Sequence, residues 1–518
     1  MTIRRREVLK AAGGLYVASM VPPSAEPQPW YAASGDDSQP STAVDSVRQS
    51  LGRIMARDQA LQAIAWLNPQ VLEDAGRIDQ AASAGSAAGA LTGLTVLAKS
   101  TFDVAGVATD GSNSTWARLF TAPASEDALA VARVRAAGAA LLGKGAADDF
   151  AYGGAGLASA TGQVWNPRYP DRERIAGGSS GGGAAAVAAG YCDAAFGTDD
   201  GGSNRIPAHY CGVVGVKTTF GLVPRSGVVP TWPWIDCHGP MATNARVAAR
   251  VLSVMAGPDS SDAFSLRATG TVAYPSSWEG LADVRLGLVK AHAGLDALPA
   301  TQAAAFQDAL ERLQAAGATI MPIDPPTTID NLSARLQAAG ASPFGTRASA
   351  NALVRYLDRR PQGAAQLLPL ALPAYREFYS DLPAEPEAVL AMAQTPYEES
   401  AQGLAYAERR DALVAELERF CAERKLDAMV WPTLNHEALR GGESWPSGRT
   451  PLSFVNWLGL PEVSVPVASG PDGVPRGNIS FAGLPFTDFS LLALAQVFEE
   501  VRDLAPRSAG VRDRHPLG

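Results

Sequence analysis

Apolar residues near the start of the chain recur at the spacing of an α-helix. Val47, Leu51 and Ile54 are separated by three or four positions, and the apolar face continues through Leu67. Because residues three and four apart share one face of a helix, we expect residues 45–85 to be mainly helical.

Further along the chain, short continuous apolar runs alternate with segments of helical spacing. The runs expected to form buried strands are 93–98, 138–143, 284–291, 318–323, 427–431 and 462–467. The segments predicted to be helical are 71–82, 124–136, 183–190, 301–316 and 489–502. Residues 192–198 are expected to lead into a glycine-rich turn. This alternation predicts an α/β fold in which helices cover the sheet.

Residues 326–425 are predicted to be mainly helical, with breaks at Pro343, Pro361 and Pro383. This region is the best candidate for a helical insertion that shapes a substrate site. The 518 residues would allow three or four domains, at about 150 residues per domain. We find no internal repeat and no low-complexity linker, so one large domain is the better prediction.

The N-terminus is typical of an export signal. Arg5 and Arg6 precede Glu-Val-Leu-Lys, an order that resembles the twin-arginine signal, and the modestly apolar segment 11–21 is too short to span a bilayer. We therefore expect a signal peptide at residues 1–25 and a flexible lead-in at 26–44, with a periplasmic or secreted mature protein. The alternative is a basic, frayed terminus without targeting function.

Charge and composition exclude several classes of function. The formal net charge of −9 disfavours nucleic-acid binding, which needs clustered Lys and Arg. Four cysteines and five histidines are scattered without CxxC or HExxH motifs, so we expect no metal and no cofactor. We find no later run of apolar residues long enough to cross a membrane. Disulfides stay open, because the sequence alone cannot pair the cysteines.

Glycine is the residue in excess, and the excess has a local focus. The chain has 51 glycines, and nine of them fall within residues 177–202, where two Gly-Ser clusters flank a small-residue helix. Glycine lets backbone N–H groups converge on one oxygen, and serine beside such a turn is a candidate nucleophile. A flexible linker is the alternative, but the fixed sequence Arg205-Ile206-Pro207 that follows argues against it.

Two other catalytic motifs are weighed for the same stretch. Residues 177–181 match G-x-S-x-G, the nucleophile elbow. That motif needs a strong preceding strand, which residues 171–176 do not provide, and a histidine partner such as His238 or His436. A phosphate-binding loop would need a lysine after the glycines, and none follows.

The stretch from Gly177 to Ala208, in the form GGSSGG…GTDxGGSxRxPA, resembles the amidase signature family. Two serine clusters, an acidic residue, a glycine pair, Arg and Pro stand at the family's spacing. The segment LTGLTVLAKSTFDVAG upstream resembles the family's lysine strand, and the resemblance covers about residues 45–505. It implies a single catalytic domain with a large mixed β-sheet, helices on both faces and a helical insertion, followed by a tail at 506–518.

The resemblance also implies roles for individual residues. Ser203 would be the nucleophile, and Ser179, held by a cis peptide after Gly178, would pass its proton to Lys99. A lysine acts as a base only when neutral, and burial favours that form. The oxyanion hole would use backbone N–H groups of the loop that holds Ser203. Its expected members are Asp200, Gly201 and Gly202, together with Ser203 itself.

Three further residues are implied to support the site. Asp199 would hydrogen-bond the loop, Arg205 would brace it through an ion pair, and Ser180 would add a hydrogen bond. The chain also departs from the family pattern at three positions, namely Ser100, Asn204 and Thr218. None of these departures removes a reacting atom.

These features predict an exported amidohydrolase that cleaves a peptide, aryl or aliphatic amide through a serine acyl-enzyme. A small-molecule or short-peptide amide is the expected partner, with no nucleic acid, no membrane after signal removal, and a monomeric or homodimeric state. One alternative is an amidotransferase-type subunit that delivers ammonia to a partner. Another is a non-catalytic binding protein on the same fold.

Overall fold

The computed structural model describes residues 42–84, 89–169, 173–265, 280–289, 298–327, 329–338, 341–444, 452–470 and 473–503. The expected signal peptide 1–25, most of the lead-in and the tail 506–518 lie outside the described residues. The first described helix begins at Ala43, two residues before the domain boundary expected from the sequence.

The core of the fold is one sheet of 11 strands. Within the described residues the strands are β1 (Ile64–Leu67), β2 (Thr95–Lys99), β3 (Ala140–Gly145), β4 (Leu157–Ala158), β5 (Gly162–Gln163), β6 (Ala194–Thr198), β7 (Val214–Lys217), β8 (His238–Ala242), β9 (Arg285–Val289), β10 (Thr319–Ile323), β11 (Ala428–Pro432), β12 (Glu462–Pro466) and β13 (Asn478–Ala482). The order in the sheet is β1-β3-β2-β6-β8-β7-β12-β13-β11-β9-β10, and β4 and β5 form a separate hairpin.

Parallel and antiparallel pairs both occur, so the sheet is mixed. Strand β2 runs parallel to β3 and β6, and β9 runs parallel to β10 and β11. The strands between these groups pair antiparallel. The large mixed sheet expected from the family resemblance is therefore present.

Alternate residues of the central strands enter two different apolar cores. On β2, Val96 and Ala98 belong to one buried cluster, whereas Leu97 belongs to another. Because successive side chains of a strand point to opposite faces, these are the two faces of the sheet. Both faces are covered, which explains why these strands are apolar runs without polar alternation.

Helices cover these faces. Their bounds are α1 (Ala43–Leu61), α2 (Val71–Ser83), α3 (Trp116–Leu119), α4 (Leu129–Ala136), α5 (Gly181–Ala188), α6 (Arg205–Cys211), α7 (Ala245–Met255), α8 (Ala300–Ala315), α9 (Ile329–Ala338), α10 (Thr346–Asp358), α11 (Gly363–Arg376), α12 (Pro386–Met392), α13 (Ala401–Arg424), α14 (Leu452–Leu458) and α15 (Asp488–Asp503). Within the described residues, no helix is long and apolar enough to cross a membrane.

The prediction of continuous helix over 45–85 is wrong at its centre. Helix α1 ends where Gln62 adopts a left-handed backbone, and the Asp58 carboxylate accepts the N–H groups of Ala63 and Ile64. The apolar run that follows pairs with β3 as strand β1. A short apolar run fits a buried strand as well as a helix face, so periodicity alone could not decide.

The mainly helical prediction for 326–425 is confirmed by α9 to α13. Pro343, Pro361 and Pro383 all fall between helices, although α11 also accommodates Pro369 and Pro373. Helices α10 and α11 form an apolar cluster with residues from the N-terminal half of the chain, including Trp116 and Phe150. The helical region is thereby packed against the segment that follows β3.

Candidate active site

Two neighbouring parallel strands bring the predicted base to the site. Lys99 is the last residue of β2, and Thr198 is the last residue of β6. Because parallel strands end at the same edge of a sheet, these side chains meet. The Lys99 ammonium nitrogen Nζ donates to Thr198 Oγ1 at 2.7 Å and to Ser179 Oγ at 2.7 Å. The structure thus joins two residues of the predicted catalytic set.

Ser179 lies in a tight loop that leads into α5. The peptide between Gly178 and Ser179 is cis, as the family resemblance implies. The Ser179 carbonyl accepts the N–H of Asp148 at 3.2 Å. A Cβ on Gly178 would clash with the Asp148 carboxylate and the Gly156 backbone, so this position requires glycine.

The loop that carries Ser203 lies against the Ser179 loop. The N–H of Ser180 donates to the Ser203 carbonyl at 3.1 Å, and Ser180 Oγ donates to the Thr198 carbonyl at 3.3 Å. The Ser203 residue is 6% exposed. Within the described part of the chain, Ser203 Oγ makes no hydrogen bond, so this hydroxyl is available to a substrate.

A fully buried ion pair fixes the beginning of the Ser203 loop. Arg205 donates through Nε and Nη2 to the two carboxylate oxygens of Asp199, at 2.9 and 2.8 Å. The same carboxylate accepts the N–H groups of Gly202 at 2.7 Å and Asn204 at 3.1 Å. Burial opposes ionisation of Asp199, but Arg205 and these donors lower its pKa to about 2. The carboxylate therefore stays ionised and holds the loop.

Two residues from the C-terminal part of the chain complete this cluster. Arg205 Nη1 donates to Glu462 Oε2 at 2.7 Å, and Nη2 donates to Asn456 Oδ1 at 2.5 Å. Asn456 Nδ2 in turn donates to the Asp199 carbonyl at 2.8 Å. The guanidinium thus pairs with two buried carboxyl groups, which alone would be costly to desolvate.

One member of the expected oxyanion hole has a different function in this structure. The N–H of Gly202 is bonded to Asp199 Oδ1, so it cannot also face a substrate oxygen. Among the described residues, the N–H groups of Asp200, Gly201 and Ser203 have no protein acceptor, and Gly201 is exposed. The donor set that the geometry leaves for an oxyanion is therefore Asp200, Gly201 and Ser203, without Gly202.

Burial controls the charge of Lys99. Desolvation lowers its pKa from 10.5 to about 8, although several carboxylates nearby favour the charged form. The carboxylates that act on it are Asp200, Asp148, Asp236 and Asp199. Burial raises the pKa of Asp200 well above its usual range, and the proximity of Asp236 adds to this effect. A neutral lysine is accordingly accessible within about one pH unit of physiological conditions.

The three departures from the family pattern each make local hydrogen bonds, although Asn204 Oδ1 is buried without a partner among the described residues. Asn204 Nδ2 donates to the carbonyls of Val216 at 3.1 Å and Gly239 at 3.2 Å, which ties the loop to β7 and β8. Ser100 accepts from Ser112 at 2.7 Å. Thr218 donates to the His238 carbonyl at 2.9 Å. These side chains stabilise the surroundings of the site and contact no predicted reacting atom.

The nucleophile-elbow interpretation does not fit the geometry. The Ser179 hydroxyl is bonded to Lys99, and His238 instead faces Asp236 at 3.2 Å. His436 contacts Tyr210 and the backbone of Glu437.

The four cysteines are buried and free, so no disulfide forms. Within the described residues, no group of three His, Cys, Asp or Glu side chains could hold a metal ion.

Sequence reasoning missed several residues of the site. The sequence carried a signal for Thr198, because this residue ends an apolar run directly before Asp199. Residues 192–198 were nevertheless expected to lead into a glycine-rich turn, whereas 194–198 form strand β6. Asn456 and Glu462 lie more than 250 positions after Arg205 and had no local signal.

Comparison with known proteins agrees with this geometry. The family model described as Amidase matches residues 45–492. A glutamyl-tRNA(Gln) amidotransferase subunit from Symbiobacterium thermophilum is 35% identical, over 89% of this chain and 93% of that protein. The corresponding subunit from Methylobacillus flagellatus is 32% identical, over 89% of this chain and 94% of that protein.

Among solved structures, the peptide amidase from Stenotrophomonas maltophilia superposes with a TM-score of 0.72 at 27% identity. The match covers 89% of this chain and 94% of that one. The mixed sheet, the paired serine loops and the family match lead to the same conclusion. The chain belongs to the amidase family and is an enzyme that acts on carbon–nitrogen bonds.

Proposed function

We propose that this enzyme hydrolyses a carboxamide through an acyl-enzyme on Ser203, with Ser179 and Lys99 as the proton relay. The observation that carries the proposal is the 2.7 Å hydrogen bond between Lys99 Nζ and Ser179 Oγ. The bond between Ser180 N–H and the Ser203 carbonyl, at 3.1 Å, holds the nucleophile loop next to this pair. A serine hydroxyl needs a base of this kind to attack a carbonyl at neutral pH.

The first half of the reaction forms the acyl-enzyme. Ser203 Oγ attacks the amide carbonyl carbon, its proton passes to Ser179 Oγ, and the proton of Ser179 passes to neutral Lys99 Nζ. The negative charge that develops on the carbonyl oxygen is stabilised by the free N–H groups of the loop. When the tetrahedral intermediate collapses, the carbon–nitrogen bond breaks and the relay returns a proton to the departing amine.

The second half releases the acid. Water enters in place of the amine and gives its proton to the same relay as it attacks the ester carbonyl. Collapse of the second tetrahedral intermediate breaks the bond to Ser203 Oγ, which recovers its proton. The relay residues are then back in their starting protonation states.

The test is ammonia or amine release by purified Ser203→Ala. We expect a loss of at least about a thousandfold, since removal of a catalytic serine leaves only binding and oxyanion stabilisation. Ser253→Ala is the matched control, because Ser253 is exposed and donates only to the Arg250 carbonyl. Retained activity in Ser203→Ala would contradict the mechanism. A fluorophosphonate probe that fails to label Ser203 would favour the non-catalytic binding protein instead.

A second candidate function has specific support from the relatives. The relatives compared at 31–35% identity are all the same subunit of glutamyl-tRNA(Gln) amidotransferases. These matches favour an amidotransferase subunit, which delivers ammonia to a partner, over an exported amidohydrolase. Both functions share the same acyl-enzyme half-reaction. They differ in whether the ammonia enters solvent or a partner protein.

Substrate choice and independence from a partner separate the two functions. The purified chain is assayed alone with glutamine and with peptide, aryl and aliphatic amides, and ammonia or amine is measured. Turnover of glutamine that increases when partner proteins are added supports the amidotransferase function. Full turnover of other amides without a partner supports the free amidohydrolase.

The N-terminal sequence is the basis for a proposal about location. Arg5 and Arg6 stand in the order of a twin-arginine signal, so the proposed destination is the periplasm or the exterior. Residues 1–41 fused to a reporter enzyme should appear outside the cytoplasm. Replacement of both arginines by lysine should abolish this transport, whereas equal transport of both fusions would contradict the proposal.

A further inference from the structure

Six aromatic side chains form a continuous cluster that extends from a buried residue to the surface, termed here the aromatic rim. Its members are Tyr152, Trp232, Phe344, Phe378, Tyr379 and Trp457. Neighbouring ring centroids lie 5.0 to 6.4 Å apart, the distances of edge-to-face packing. Tyr152 is 44% exposed and Phe344 is 39% exposed, although large aromatic groups are usually buried.

Three contacts place the aromatic rim at the Ser203 loop. Trp232 follows Thr231, whose hydroxyl donates to Asp200 Oδ1 at 2.8 Å. Trp457 follows Asn456, which is bonded to Asp199. Thr231 and Asn456, the residues that directly precede these two tryptophans, are therefore hydrogen-bonded to the 199–203 loop.

The third contact holds the segment that carries Tyr152. The N–H of Asp148 is bonded to the Ser179 carbonyl, and the Asp148 carboxylate accepts the N–H of Gly156 at 2.8 Å. These bonds hold the segment 148–156, which carries Tyr152, against the loop that contains Ser179. The aromatic rim spans from this segment across to the helix α14 that contains Trp457.

The backbone before Tyr152 has an unusual conformation. Phe150 and Ala151 have φ values of 50° and 62°, in the left-handed region that bulky residues avoid. The N–H of Phe150 donates to the Gly111 carbonyl at 2.8 Å, and the hydroxyl of Tyr379 donates to the Phe150 carbonyl at 3.0 Å. Such conformations persist only where the surroundings impose them, and they cluster at functional sites. Here they direct the chain so that Tyr152 joins the rim.

The aromatic rim consists of aromatic side chains alone. Two arginines that stand close to rim residues in the sequence, Arg347 and Arg376, donate to the backbone carbonyls of Met392 and Leu382. The rings themselves therefore match an uncharged apolar group best.

We infer that the aromatic rim binds the acyl group of the substrate, and that the preferred substrates are carboxamides with an aromatic or large apolar side chain. The inference rests on the proposed function, since it assigns the substrate class of the Ser203 site. Release of ammonia leaves almost the whole substrate in the acyl group, so its recognition falls to the surface beside the nucleophile. Aromatic rings provide that recognition through apolar and edge-to-face contact.

The test compares two uncharged amides that differ only in a phenyl group, 3-phenylpropanamide and propanamide. We expect kcat/KM for ammonia release to be at least about tenfold higher for the phenyl compound in the native enzyme. In Tyr152→Ala and Phe344→Ala this preference should fall several-fold, while Tyr152→Phe should retain it. Phe486→Ala is the matched control, because Phe486 is also 39% exposed but makes no ring contact with the aromatic rim.

A binding measurement keeps this inference separate from the proposed function. Ser203→Ala protein is titrated with both amides, and the dissociation constants are compared by calorimetry. Equal affinities, or a preference that survives in both alanine variants, would overturn the aromatic assignment even if amides are hydrolysed. If neither amide is hydrolysed but the phenyl compound binds more tightly, the mechanism is wrong and the aromatic assignment stands.

Discussion

Lys99 donates a hydrogen bond to Thr198 Oγ1 at the same distance, 2.7 Å, at which it donates to Ser179 Oγ. The threonine is the last residue of a strand parallel to β2, and it is fully buried. The predicted base is therefore held from two sides, by the serine that it must deprotonate and by a hydroxyl that does not react. Thr198 is a positioning residue in this arrangement.

Thr198→Val should separate positioning from chemistry. Valine fills the same space but cannot accept the Lys99 hydrogen bond, so Nζ loses a fixed direction. We expect kcat/KM to fall about tenfold, which corresponds to the loss of one hydrogen bond to a charged group. The bond also favours the charged form of Lys99, so its loss should shift the acid limb of the pH profile of kcat/KM to lower pH. Thr198→Ser should restore both rate and profile, and a purely structural role would leave the profile unchanged.

Activity should rise with pH through about 8. Burial lowers the pKa of Lys99 from 10.5 to about 8, and only the neutral amine can accept the proton of Ser179. The measurement is kcat/KM from pH 6 to 10, and a curve that falls over this range would contradict the role of Lys99 as base. Lys144 is the control, because it is equally buried and its pKa is lowered by burial to about 7, but it contacts the Ala108 carbonyl and Thr109. Lys144→Met should leave the midpoint of the profile in place.

The lowered pKa of Lys99 also predicts how the free energy of unfolding depends on pH. Since burial lowers the folded-state pKa of Lys99, the unfolded chain binds more protons than the folded chain between about 8 and 10.5. The free energy of unfolding should therefore gain a contribution from Lys99 as the pH rises through this window, and lose it as the pH falls. Urea unfolding at pH 8 and pH 10 measures the change. In Lys99→Met the increase over this window should be smaller.

Arg205 should be among the most costly charged residues to remove. It is fully buried between Asp199 and Glu462, so Arg205→Met leaves two carboxylates without a counter-charge. We expect a loss of about 3–5 kcal/mol in the free energy of unfolding. Arg312→Ala breaks a partly exposed pair with Asp308 and should cost no more than about 1 kcal/mol. If Arg205→Met cost no more than Arg312→Ala, the buried cluster would add no more stability than a partly exposed ion pair.

The local part of the site could be predicted because one short segment carries most of the residues on which the family resemblance rests. Glycine and serine between residues 177 and 203 specify tight turns with exposed N–H groups, and the structure brings Lys99, Ser179 and the Ser203 loop together. The involvement of Gly202 could not be predicted in the same way. Its N–H direction depends on the Asp199 carboxylate, whose position is fixed only when Arg205 is buried.

The long-range part of the site could not be predicted, for two physical reasons. The cluster around Arg205 needs β12 and α14, and side-chain pairing across more than 250 positions leaves no periodic pattern in the sequence. Strand β6 escapes prediction because Ala-Ala-Phe-Gly-Thr has weak strand propensity and forms only through pairing with β2 and β8. The apolar run of β1 fits a helix pattern equally well, and only its pairing with β3 decides its state.

Substitution of Gly182 tests whether the close packing of α5 on the sheet stabilises the fold. A Cβ at this position would clash with backbone atoms of Ala63 and Ala146, and backbone cannot move aside as a side chain can. Gly182→Ala should therefore lower the free energy of unfolding by at least about 1–3 kcal/mol. Gly201→Ala is the matched control, since a Cβ there meets no atom within 4 Å. Its stability should be unchanged or slightly higher, because alanine restricts the unfolded chain. Urea unfolding of both variants decides the point, and equal midpoints would mean that α5 shifts away from the sheet without cost.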